Sequence, residues 1–111
     1  MRIHVIQSRI SDNYFYLLAA EDGSDGLLID PHDAQSALEV IDREGITLRY
    51  LVNTHGHPDH IGGNTRITEV TGVPVYAHPE ARPSIPTVDQ YVRDGDRFRV
   101  GETVLEVLDS P

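Results

Sequence analysis

His55, His57, Asp59 and His60 place three imidazoles and one carboxylate within six residues, in the run Thr54-His55-Gly56-His57-Pro58-Asp59-His60. Imidazole and carboxylate suit zinc, iron or manganese. The chain contains no cysteine, so zinc–thiolate sites, cysteine nucleophiles and disulfide staples are excluded. Four ligands so close in sequence wrap one tetrahedral ion only with strain; two ions sharing the segment fit better. Pro58 stiffens the turn, while Gly56, Gly62 and Gly63 let the backbone bend around a cation. With 6 His and 11 Asp in 111 residues, the pattern arises by chance roughly twice in a thousand such chains. A dication held there draws the pKa of water toward neutrality and supplies a nucleophile at pH 7. The predicted chemistry is metal-assisted hydrolysis.

The neighbouring elements must position those four side chains. Leu48 to Thr54 reads as a strand that runs straight into the histidines; residues two apart on it, such as His55 and His57, can point the same way. Upstream, Arg2 to Ser8 alternates polar and apolar residues, with Ile3, Val5 and Gln7 on one face. Tyr14 to Ala20 is an aromatic-rich run, joined by a Gly-bearing turn to Leu27-Leu28-Ile29. These three segments predict an antiparallel meander. Asp33 is placed to cap a helix carrying Ala34, Ala37, Leu38 and Ile41, which Gly45 ends. Downstream, a short helix is expected to Val70, then a strand over Val73 to Ala77. The prolines 79, 83 and 86 keep the next stretch irregular. Asp94-Gly95-Asp96 marks a turn after Tyr91-Val92, and Gly101-Glu102 links a closing hairpin, Arg97 to Val100 with Thr103 to Leu108. The alternation of strands with two helices predicts one mixed α/β domain over residues 1–111.

Thr54-His55-Gly56-His57-Pro58-Asp59-His60-Ile61-Gly62-Gly63-Asn64 resembles the THxHxDHxGGN signature of the metallo-β-lactamase superfamily. Asp12 to Leu18 resembles the early strand of its glyoxalase II group, and Leu28-Ile29-Asp30-Pro31 the acidic turn before that group's first helix. Val75-Tyr76-Ala77-His78 and the closing hairpin fall in the expected order. The resemblance implies an αββα sandwich of which this chain matches the N-terminal half, with a mainly antiparallel mixed sheet and flanking helices. It implies two divalent metal ions, zinc first, with iron or manganese as options. His55 and His57 match ligands of the first ion, Asp59 and His60 ligands of the second, and Asp59 is also the candidate catalytic residue. His57 stands where an oxygen-reducing branch carries Glu, which favours hydrolysis. Most similar is glyoxalase II, so the implied reaction is addition of water to a thioester such as an acylglutathione. Lactonase or lactamase action would use the same residues; a non-catalytic metal-binding or assembly module is the alternative of another class.

The family completes its sites with a later His, a bridging Asp and a final His, for which this sequence offers no match. The expectation is a chain truncated before its second half and inactive alone. Strands carrying Ile3, Val5, Phe15, Leu17, Leu28 and Val52 should then expose an apolar face, inviting a homo-oligomer or a missing C-terminal half. Asp30 is the candidate to accept a hydrogen bond from a metal-bound imidazole, with a turn or cap role as its alternative. His4 is expected at the surface, His32 near a helix start, and His78 either near the metals or without a role. Asn13 and Tyr14 read as strand edge, and Asp94 and Asp96 as a solvated turn.

Composition narrows the partners. Apolar residues are 39% and charged residues 24%, an ordinary globular balance. Eighteen acids against nine bases, all arginine and scattered, give a net charge of −9, which repels a phosphate backbone. The expected partner is a small-molecule substrate, without nucleic acid or membrane. No run reaches about 18 apolar residues and the N-terminus lacks a signal-peptide core, so the expected location is cytoplasmic.

Overall fold

The computed structural model describes residues 1–9, 13–54, 64–77 and 88–107. Six strands form one sheet in sequence order: β1 (Arg2–Gln7), β2 (Tyr14–Ala19), β3 (Asp25–Ile29), β4 (Thr47–Asn53), β5 (Val75–Ala77) and β6 (Gln90–Tyr91). The expected meander is present, since β1–β2 and β2–β3 pair antiparallel. From β3 onward the pairing is parallel. Parallel neighbours need crossovers, and the helices supply two of them: α1 (Ala34–Glu44) between β3 and β4, α2 (Asn64–Thr71) between β4 and β5.

Both helices pack on one face of the sheet. Phe15, Leu17 and Ala19 alternate along β2 onto that face, where they meet Leu28, Leu51 and Val75, then Ala37 and Ile41 of α1 and Ile67 of α2. On the other face lies the hairpin of β7 (Arg97–Val100) and β8 (Thr103–Glu106). Its Phe98 and Val100 bury against Leu27, Tyr50, Val52 and Tyr76. Tyr50, Tyr76 and Phe98 meet edge to face, with ring centroids 5.0–5.6 Å apart. A cavity of about 260 Å³ beside them is lined by the same three rings with Gln90, Asp96 and Arg97.

The helix signals read from the sequence operate as expected. The Asp33 side chain caps α1 by accepting from the Ser36 N–H, and Gly45 closes the helix with φ of 65°. Asp89, unremarked in the sequence, bridges β5 to the start of β6: its carboxylate accepts from Val75 N–H and its own N–H donates to Val75 O.

Two orientations differ from expectation. His4 is half-buried and shares the helix-side face of β1 with Ile6, because Ile3 and Val5 take the opposite face. Phe15, Leu17 and Leu28 are completely buried by the helices; the exposed apolar residues beside Ile3 and Val5 are instead Tyr14 and Tyr16. Strand alternation explains both. The expectation named residues from the two faces of one sheet, and only one face is open.

Candidate metal centre

His55, His57, Asp59 and His60 lie outside the described residues, as do Asp12 and His78. The structure does describe the elements that deliver the chain to and from that segment. Strands β3, β4 and β5 run parallel, so their C-terminal ends share one edge of the sheet. At such edges the loops of open α/β sheets bind their ligands. Asp30 follows β3 there, and Thr54 follows β4 as the last residue before His55.

Three hydrogen bonds tie Asp30 to the end of β4, one to Val52 and two to Thr54. The Asp30 N–H donates to Val52 O at 2.9 Å, which fixes β3 against β4. Its carboxylate then accepts from the Thr54 N–H at 2.7 Å and from the Thr54 hydroxyl. Asp30 is buried, with φ of 48°. Asp is among the few non-glycine types that enter this left-handed region, and such backbone strain concentrates at functional sites. Asp30 therefore holds the entrance of the histidine segment through Thr54. The helix-cap role weighed as its alternative belongs to Asp33.

Asp33 ties a second approach to the same edge. Its carboxylate accepts from the Ser36 N–H and hydroxyl at 3.2 and 2.6 Å, and from the Arg9 N–H at 2.9 Å. Burial pushes the Asp33 pKa up, but the Ser36 hydroxyl and the backbone N–H groups of Arg9, Ser36 and Gln35 outweigh it and hold the group below the usual carboxylate range. The turn after β1 is thereby fastened to α1. His32, immediately before this cap, is buried with its ring 6.1 Å from that of Phe15, the helix-start position expected of it. Asn13 accepts at its backbone oxygen from Ser8 N–H, closing the β1–β2 connection as strand-edge structure. Asp96 accepts from Arg93 N–H in the turn before β7.

The sequence reading assigned no role to Asn53 and none of its own to Asn64. Both are buried, at the end of β4 and the start of α2, and their side-chain amides bond reciprocally. Asn64 Nδ2 donates to Asn53 Oδ1 at 2.5 Å, and Asn53 Nδ2 donates to Asn64 Oδ1 at 3.4 Å. Their placement on either side of the histidines was the available signal.

Among the described residues no three His, Asp or Glu side chains gather into a metal-binding group. The donors of residues 55–60 fit one by their chemistry, and the buried polar anchors at both ends of the segment give it a fixed base.

Comparison with known proteins decides the family. The metallo-β-lactamase superfamily profile matches residues 11–110. The chain belongs to that superfamily. Within the metallo-β-lactamase superfamily it is 37% identical over 102 residues to a hydroxyacylglutathione hydrolase of Methylococcus capsulatus, covering 92% of this chain and 40% of that protein. It is 40% identical over 100 residues to a hydroxyacylglutathione hydrolase of Polaromonas, covering 89% and 38%. The chain thus spans about 40% of the length of the curated relatives it matches. The crystal structure of ETHE1 from Myxococcus xanthus superposes with a TM-score of 0.79 at 28% identity, over 96% of this chain and 47% of that one. The B3 metallo-β-lactamase BLEG-1 gives 0.85 at 20% identity over 99% and 62%, a likeness of fold. The α/β architecture expected from the signature is therefore the one observed. Among the described residues no helix is long and apolar enough to cross a membrane.

Proposed function

We propose that this chain carries the metal-ligating segment of a metal-dependent hydrolase that adds water to a thioester such as an acylglutathione. The observation that carries the reading is the run His55-Gly56-His57-Pro58-Asp59-His60, which begins one residue after a threonine that Asp30 fastens to the C-terminal edge of the parallel strands. The substrate class is supported by the relatives named hydroxyacylglutathione hydrolase at 37% and 40% identity. His55 and His57 are assigned to one divalent ion, Asp59 and His60 to a second, with zinc preferred over iron or manganese. When bound, such ions supply Lewis acidity and bring the ionisation of water toward neutral pH. Asp59 doubles as the catalytic carboxylate, a base able to take a proton as water adds. A thioester has a good leaving group, so little acid assistance is required of the protein.

Catalytic zinc normally keeps three protein ligands, and four donors divided between two ions fall short of that. We therefore assign the remaining ligands to chain outside residues 1–111, which form one metallo-β-lactamase-like unit with its α1–α2 layer, six-stranded sheet and hairpin. The net charge of −9 favours a small substrate over nucleic acid. A cytoplasmic location stays part of the proposal.

Zinc uptake by calorimetry, with His57→Ala beside the parent chain, tests the metal assignment; uptake indifferent to that change would overturn it. Protein purified from its native source is then offered a thioester, a lactone and a β-lactam. The thioester is expected to turn over fastest. A faster lactone or β-lactam replaces the substrate class, and metal uptake with no turnover of any of the three leaves the non-catalytic metal-binding module.

A further inference from the structure

We infer that Asn53 and Asn64 act as one positioning clasp that fixes the span between the two ends of the metal-ligating segment and thereby sets its affinity for a divalent cation. The inference rests on the proposed assignment of His55, His57, Asp59 and His60 as ligands, and adds residues to which that assignment gives no part.

Three observations carry it. First, the pair spans the segment: Asn53 ends β4 and Asn64 opens α2, so their side chains join positions eleven residues apart, with every proposed ligand between them. Second, the pair is buried where a polar group is costly. Asn53 is 0% exposed and Asn64 8%, beside a core built of Leu51, Ile67 and Val75. A buried amide left unpaired there carries its full desolvation cost, so two amides facing each other hold their geometry firmly. Third, both partners sit on rigid elements. Asn53 belongs to a strand paired on both sides, and Asn64 lies three residues before Ile67, which is fully buried beneath the sheet. Two aliphatic residues would pack there without a polar cost but would fix no distance or angle. A reciprocal amide pair fixes both, because each side chain offers one donor and one acceptor in a plane.

The chemistry gives this a purpose. A ligand set spread along one short segment reaches a cation only if the ends of the segment are held at the separation that closes it. Without the clasp, that ordering must be done by the metal at the expense of affinity. Residues that orient ligands without touching the ion are worth about 10- to 100-fold in affinity.

The test is a titration of the 111-residue chain with cobalt(II) alone, read by the paramagnetic shifts of its histidine resonances and by visible absorption. Asn53→Ala, Asn64→Ala, the double variant and His57→Ala are compared, with Ile41→Val as a remote core change of similar character. Each single asparagine change is expected to weaken cobalt(II) binding about tenfold, and the double variant no further, because either change opens the same clasp. Ile41→Val is expected to leave affinity within about twofold while lowering the thermal midpoint. Losses that multiply to about a hundredfold in the double variant would overturn the clasp. So would affinity retained in folded Asn64→Ala. Should an alanine variant not fold, Asn53→Ser and Asn64→Ser, which keep a polar atom but cannot reach across, are read by the same criterion. Absence of any histidine shift in the parent chain, or shifts unaltered by His57→Ala, would instead remove the ligand assignment itself. The two failures are thus told apart.

Discussion

At the scale of single residues, the side chain that holds the residue before the proposed ligands does more than its charge suggests. Asp30 gives both carboxylate oxygens to Thr54. Asp30→Ala strips an acceptor from the part-buried Thr54 backbone N–H and from the Thr54 hydroxyl, and puts alanine at φ of 48°. The expected cost is about 2–4 kcal/mol, from one to two lost acceptors and the strained backbone. Asp30→Gly relieves the backbone but not the hydrogen bonds and should recover about 1 kcal/mol. Urea unfolding of the three proteins checks the order; equal losses would show that the φ angle carries no strain. The sequence singled out Asp30 as an acceptor for a metal-bound imidazole or as a turn or cap residue, and offered no sign of its bonds to Thr54. Residue type is visible in a sequence. Which donor meets it depends on the register of β3 against β4, set by pairs such as Ile29 with Val52, and that register is a long-range fact.

At the scale of elements, what was legible was what is local. The cap at Asp33, the stop at Gly45 and the turn at Gly101 follow from short-range chemistry, and each stands where the residue pattern predicts. The order of the sheet beyond β4 was not legible, because β5 and β6 are three and two residues long and are placed by Asp89 and the sheet rather than by propensity. Asp33 yields a pH prediction. Its pKa is lowered in the folded protein, so its contribution is complete above the ordinary carboxylate value near 3.9 and is lost as pH falls through the depressed folded value. Asp33→Ala is expected to cost about 1–2 kcal/mol at pH 7, with the gap to the parent narrowing as pH falls below the ordinary carboxylate range. Unfolding curves at pH 7 and in acid check it; a gap that widens in acid contradicts the sign. The hairpin supplies a second case. Gly101 has φ of 60°, and a Cβ there would stand 2.6 Å from the Ala20 Cβ. Gly101→Ala should therefore loosen β7–β8 from the sheet and cost about 1–3 kcal/mol, measured by thermal unfolding.

At the scale of the whole molecule, the two faces of the sheet are unequally covered. Helices close one face, and on the other the hairpin reaches only part of the sheet. The register sets Ile3 beside Leu18 and Val5 beside Tyr16, with Tyr14 opposite Gln7, so Ile3, Val5, Tyr14 and Tyr16 form one strip at the β1–β2 end. All four are more than two-fifths exposed. Side chains of this size in one strip amount to on the order of a few hundred Å², the scale at which apolar patches mark association. Their burial is favourable by roughly 25 cal/mol per Å². The 111-residue chain by itself is expected to self-associate through this strip despite its net charge of −9, and more so as salt screens that charge. Val5→Thr with Tyr16→Thr keeps strand-forming side chains while removing apolar surface, and should return the chain to a monomer. Sedimentation at low and high salt makes the comparison. A 12.4 kDa monomer for the parent chain under both conditions would show that the strip drives no association.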